Sequence, residues 1–96
     1  MVKYFCNCLL ATKVSFANEF KQICDSSHVD YDKVLEYSLY DGRIGKSHLS
    51  VPGPDGNMGF GGSCFPKDIN ALIFLATKSG VEPSVLKAAW DKNLEV

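Results

Sequence analysis

Residues 2 to 26 contain neither glycine nor proline, and that uninterrupted run limits the fold more than any other feature of the chain. Within it Phe5, Leu9, Phe16, Phe20 and Ile23 recur at spacings that add up to helical turns. Leu10, Val14, Ala17 and Cys24 form a second apolar strip on the same run. One helix with two apolar sides is a helix wedged between partners, not one lying on a surface. No Ser, Thr, Asp or Asn precedes the pattern to cap it, so the helix is expected to begin upstream of this chain.

The rest of the chain reads as shorter helices around one long loop. Ser26, Ser27 and His28 break the first helix, and Asp30 can cap a second from Tyr31 to about Leu39, with Val34 and Leu35 inward. Asp41-Gly42 is expected to end it. From Arg43 to Ser63 come six glycines and two prolines without any periodic pattern. A loop of that length in so small a domain is functional or disordered, and preset Gly and Pro backbone angles favour an ordered, substrate-shaping one. Pro66 suits the first turn of a third helix, Asp68 suits its positive dipole end, and Ile69, Leu72, Ile73, Leu75 and Ala76 give it an apolar face. Gly80 is placed to terminate it. Pro83 opens a fourth helix with Val85, Leu86, Ala89 and Trp90, and that pattern reaches Val96 without a stop signal. The expected fold is therefore all-α: a long linking helix, three shorter helices and a long Gly/Pro-rich loop. Both ends read as cut from a larger protein.

Composition narrows the function. A formal net charge of -1 recruits neither nucleic acid nor a membrane surface by bulk electrostatics. No run of about 20 apolar residues could span a bilayer, and the opening residues lack the basic and apolar regions of a signal peptide. A cytoplasmic location is expected. With no export signal, Cys6, Cys8, Cys24 and Cys64 are expected to be reduced. Cys6 and Cys8 are one residue apart with no matching pair, and His28 and His48 form no cluster, so no metal site is expected.

The stretch that carries chemistry is Gly59-Phe60-Gly61-Gly62-Ser63-Cys64-Phe65-Pro66-Lys67-Asp68. A glycine-rich loop delivers a cysteine to the start of a helix, where outward-pointing amides favour negative charge and so the nucleophilic thiolate. Lys67 adds a positive charge. Asp68 follows Cys64 by four residues, about one turn, so the two side chains can face the same space. A phosphate-binding loop is excluded, because the Gly-x-x-x-x-Gly-Lys-Ser/Thr spacing is absent. Read alone, Cys64 could equally be a buried small hydrophobe, Lys3 and Asn7 a solvated helix face, and Arg43 a surface turn residue.

The run GFGGSCFPKD closely resembles the active-site signature of the UDP-glucose/GDP-mannose dehydrogenase family. The opening KYFCNCLLATKVSFANE resembles the helix that links that family's two nucleotide-binding domains, and Asp41-Gly42-Arg43-Ile44-Gly45 resembles its UDP-glucose branch. The resemblance covers essentially the whole chain as three motifs in the expected order. It implies the central domain of a larger α/β enzyme that oxidises UDP-glucose to UDP-glucuronate with two NAD+ and one water.

By that resemblance Cys64 adds to the C6 aldehyde, the adduct is oxidised to a thioester, and water hydrolyses it. Lys3 and Asn7 match the family's lysine and asparagine on the linking helix, where an i, i+4 spacing lets both reach an oxyanion. Asp68 matches the aspartate that positions or deprotonates water, and Lys67 matches a residue near NAD. Gly61 and the segment Leu49, Ser50, Val51, Pro52 and Gly53 match the substrate loop. Arg43 matches an arginine that reaches substrate across a homodimer interface. The NAD-binding domain and the domain that completes the UDP site match nothing in these 96 residues. GDP-mannose or a UDP-N-acetylhexosamine as substrate, or a helical dimerisation module without its own activity, are the other readings.

Overall fold

Helix α1 spans Val2–Ser26, α2 Tyr31–Ser38, α3 Cys64–Lys78 and α4 Ser84–Glu95 in a computed structural model that describes all 96 residues. There is no strand. The 25 residues of α1 make a rod about 37 Å long. It ends where Ser26–His28 was expected to break it: His28 takes φ 56°, the Val29 N–H donates to the Cys24 carbonyl at 2.8 Å, and the His28 N–H to that of Asp25 at 3.3 Å. Asp30 caps α2, its carboxylate accepting from the Asp32 and Lys33 amides at 3.0 and 3.4 Å. That helix stops at Leu39, before Asp41-Gly42 is reached. The Asp41 carboxylate instead accepts from the Arg43 amide, so the Asp-Gly pair forms a turn after the helix and does not terminate it. Gly80 closes α3 with φ 82°, through bonds from Val81 N–H to the Ala76 carbonyl (2.9 Å) and from its own N–H to that of Thr77 (3.1 Å).

Helix α1 is the axis on which α2, α3 and α4 all pack, and α3 and α4 also touch each other. One core cluster joins Cys8 and Ala11 of α1 to Phe60, Ile69 and Ala89; a second joins Ala17 and Cys24 to Tyr31 and Val51. Small residues on α1 let the neighbouring helices approach closely. Ser15 Oγ uses that closeness to donate to the Ala89 carbonyl at 2.6 Å. Of the first apolar strip on α1, only Phe20 packs against these clusters. Phe5, Leu9, Phe16 and Ile23 are each more than half exposed. Val2, Leu9, Phe16 and Ile23 recur every seven residues along this uncovered face. Leu75, placed on the apolar face of α3, and Val85 of α4 are also exposed, while Ile73 and Leu86 pack against the first cluster. Only 13 of 96 residues are buried, so much of the apolar surface is left without a cover.

Two buried acids shape the stability of this thin core. Burial pushes the Tyr31 phenol above its ordinary 10.0, with the Cys24 and Asp32 charges adding to it. Burial first, and the Asp68 charge second, push the Cys8 thiol above its ordinary 9.0. Both groups are held neutral by the fold, so their contribution is fully present below those ordinary values and is lost as pH rises through the folded ones. The urea midpoint is expected to fall as pH rises past the ordinary thiol and phenol values of 9.0 and 10.0, and Tyr31→Phe to remove part of that fall. Identical pH slopes for the two proteins would contradict the assignment to Tyr31.

Candidate active site

The loop 43–63 ends on Cys64, the first residue of α3. Its side chain is exposed, with Ser63 Oγ 3.9 Å from Sγ. Pro66 falls at the third helical position, where an N–H would have no helical partner anyway. The thiol thus projects from the positive end of a 15-residue helix.

One turn further on, Asp68 is 1% exposed. An ionised carboxylate at that depth needs partners. Asn7 Nδ2 donates to Asp68 Oδ2 at 2.7 Å. Lys3 Nζ stands 3.9 Å from the same oxygen, and Lys67 Nζ 3.8 Å from Oδ1. Both lysine side chains are over 60% exposed, so solvent screens them and each contributes little to holding the carboxylate. The Asn7 hydrogen bond is the fixed contact. It leaves the second N–H of the Asn7 amide and the remaining donors of Lys3 free for another acceptor. Lys3, Asn7 and Lys67 are therefore gathered around the buried carboxylate of Asp68, one helical turn after the exposed Cys64 thiol. The thiol that registers the Asp68 charge is Cys8, packed beneath it in the core.

The expected substrate loop divides by residue. Ser50, Gly53 and Gly61 line a cavity of ≈ 270 Å³ together with His48 and Phe65, whose rings are 5.6 Å apart. Val51 is buried and Leu49 packs beside it in the second core cluster. The Val51 side chain is committed to packing, whereas half-buried Leu49 also lines a separate apolar cavity with Phe16, Phe20 and Tyr31. The Leu49 carbonyl is itself taken by the Tyr31 hydroxyl at 2.7 Å. Pro52 is exposed. Arg43 is not brought to the thiol: it projects into solvent and closes on its own Asp41, with Nη2–Oδ2 2.6 Å and Nε–Oδ1 2.9 Å.

Sequence reasoning missed the residues that fix the loop. Lys13 donates to the Gly45 carbonyl at 3.1 Å. Asn18 and Asn93 accept from the consecutive amides of Gly59 and Phe60 at 3.2 and 2.6 Å. A signal existed for Asn18, a polar residue within the apolar strip beside Ala17. No group of three His, Cys, Asp or Glu side chains is gathered for a metal, and no helix is long and apolar enough to cross a membrane.

A four-helix domain with no strand, built on one long helix and presenting a thiol and a buried carboxylate at the start of another, defines the class. The chain belongs to the UDP-glucose/GDP-mannose dehydrogenase family: the model of that family's central domain matches residues 1–95. It is 45% identical over 93 residues to the UDP-glucose 6-dehydrogenase AglM of Haloferax volcanii, covering 97% of this chain and 20% of that protein. It is 42% identical over 91 residues to a UDP-glucose 6-dehydrogenase of Pseudomonas aeruginosa, covering 95% and 19%. The structure of a UDP-glucose dehydrogenase from Pyrobaculum islandicum superposes with a TM-score of 0.87 at 40% identity, covering 98% of this chain and 21% of that one. The chain thus spans about a fifth of the length of these relatives.

Proposed function

We propose that these 96 residues serve as the cysteine-bearing central domain of an NAD-dependent dehydrogenase that oxidises UDP-glucose to UDP-glucuronate, in the cytoplasm. The single observation that carries this reading is the constellation around Asp68: Cys64 exposed one turn before it, Asn7 bonded to it at 2.7 Å, Lys3 and Lys67 flanking it. The relatives' names favour UDP-glucose over GDP-mannose or a UDP-N-acetylhexosamine.

In this reading each residue has a role its geometry permits. The exposed Cys64 thiolate adds to the C6 aldehyde. Lys3 and the spare N–H of Asn7 donate to the oxygen that becomes negative as the adduct forms. Asp68, oriented by the Asn7 hydrogen bond, takes a proton from the water that cleaves the thioester. Ser50, Gly53 and Gly61 line the wall against which the sugar nucleotide lies, with Leu49, Val51 and Pro52 shaping it. Arg43, unengaged with the rest of its own chain, reaches the site of a second protomer. NAD, when bound, takes up the hydrides. Of this chain only Lys67 is assigned to it, at the surface; four helices without a strand offer no dinucleotide-binding fold, so its seat is assigned to another domain.

The test is an assay of the enzyme that carries this segment. Two NADH formed per UDP-glucose consumed, with GDP-mannose unreactive, is the expected stoichiometry. One NADH per substrate, or GDP-mannose as the better substrate, defeats the reading.

The seven-residue apolar repeat on α1 supports a homodimer formed through that helix. Sedimentation of the chain at micromolar concentration is expected to give a dimer. Phe16→Glu is expected to shift it to monomer, since a charge at the centre of the stripe would have to be desolvated. A monomeric parent protein, or a dimer indifferent to Phe16→Glu, rules out this face.

A further inference from the structure

We propose that Asn18 and Asn93 are positioning residues that lock the loop carrying Cys64, so that the nucleophile's approach is set by two carboxamides outside the reacting cluster. The inference rests on the reading of Cys64 as nucleophile.

Gly59 and Phe60 lie in irregular backbone, where amides have no ladder partner. Each is instead met by a side-chain oxygen from a different helix: Asn18 of α1 for Gly59 at 3.2 Å, Asn93 of α4 for Phe60 at 2.6 Å. Asn18 is 3% exposed, and its Nδ2 donates to the Val14 carbonyl at 2.9 Å, which turns Oδ1 toward the loop. The fit leaves no room. Gly59 has φ 73°, and a Cβ there would overlap Asn93 Oδ1 and press on Val96. Phe60 is buried between Phe65 and Trp90, with ring centroids 6.2 and 6.1 Å away. Only Gly61, Gly62 and Ser63 separate this pinned residue from Cys64.

The other side of the cysteine is pinned by the same helix. Asn7, eleven residues before Asn18, bonds Asp68. Eleven residues are about three turns, so the two asparagines share one face of α1, about 16 Å apart. Segment 59–68, with Cys64 midway, is bracketed by them. Asn93 closes the bracket from α4. Satisfied polar groups that merely filled the core would not select two consecutive loop amides from two helices.

Hydrogen exchange of the unsubstituted chain is expected to find the Phe60 amide protected, although it lies outside every helix. Asn93→Ala should speed exchange in residues 59–63 by about ten- to a hundredfold, the consequence of leaving a buried donor unpaired, while α1 and α3 exchange as before. In the dehydrogenase the same variant should lower kcat about ten- to a hundredfold with KM for UDP-glucose little changed, because a misplaced nucleophile and not weakened binding is the fault. Asn93→Asp, which keeps the acceptor oxygen, should restore both. An unprotected Phe60 amide in the unsubstituted chain overturns the proposal without any variant. So does a loosened loop with undiminished kcat, or exchange that rises in every helix and is not rescued by Asn93→Asp. Should Cys64→Ser leave acid formation intact, the nucleophile reading fails on its own account, and the exchange results still report whether the clamp exists.

Discussion

Cys64→Ser is expected to abolish formation of the acid, by on the order of 10³-fold or more, in the dehydrogenase that carries this domain. Cys64 is exposed at the first position of α3, and none of the core clusters includes it. Exchange of sulfur for oxygen there leaves packing untouched, so the loss would be chemical. A serine hydroxyl is a far weaker nucleophile at neutral pH than a thiolate at a helix N-terminus, and the ester it could form is a poorer acyl donor than a thioester. The first oxidation does not require the covalent bond. A slow release of one NADH per UDP-glucose, with aldehyde trapped by a carbonyl reagent, should therefore persist. Acid formed at the normal rate by this variant would remove the covalent route altogether. Cys6 provides the control: it is also exposed but lies on α1, so Cys6→Ser should leave turnover unchanged.

The helices were legible because each carries a local signature. An unbroken 25-residue run, the Asp30 cap, and the Gly80 and His28 breaks all act within one or two turns of themselves, so sequence distance and spatial distance coincide. The two-sided character of α1 was legible for the same reason. Which side would remain uncovered was not, because that depends on where α3 and α4 dock. Leu75 looks as inward as Ile69 until the docking angle is known.

The residues around Asp68 were legible through the motif, and the i, i+4 spacing of Lys3 and Asn7 put both on one face of α1. That both approach the Asp68 carboxylate, 61 residues from Asn7, could not be read from spacing. The loop was least legible. Its order comes from side chains of distant helices, Lys13, Asn18, Tyr31 and Asn93, reaching its backbone. A backbone carbonyl or amide has no identity in the sequence, so nothing in residues 43–63 announces which of them will be held.

Asp68→Asn is expected to separate binding from hydrolysis. The substituted carboxamide keeps an oxygen that can accept from Asn7 Nδ2, now at 2.7 Å from the carboxylate, so the α1–α3 contact survives. What is lost is the attraction of two largely exposed lysines at 3.9 and 3.8 Å, worth about 1 kcal/mol or less apiece. That loss is offset by no longer burying a charge. Stability should therefore move little. The Cys8 thiol, relieved of the Asp68 charge but still buried, should titrate lower than before yet above its ordinary 9.0. The chemistry should change far more. An amide cannot take a proton from water, and a general base typically contributes 10²- to 10⁴-fold, so thioester hydrolysis should slow by about that factor. Oxidation up to the thioester does not use that base. The variant should thus release a burst of about two NADH per site and then stall, with the sugar nucleotide covalently held on Cys64 and visible as added mass on the intact protein. The double variant Cys64→Ser, Asp68→Asn should carry no such mass. Full turnover by Asp68→Asn, or a stalled enzyme without an adduct on Cys64, would show that the buried carboxylate only secures the helix pair and that water is activated elsewhere.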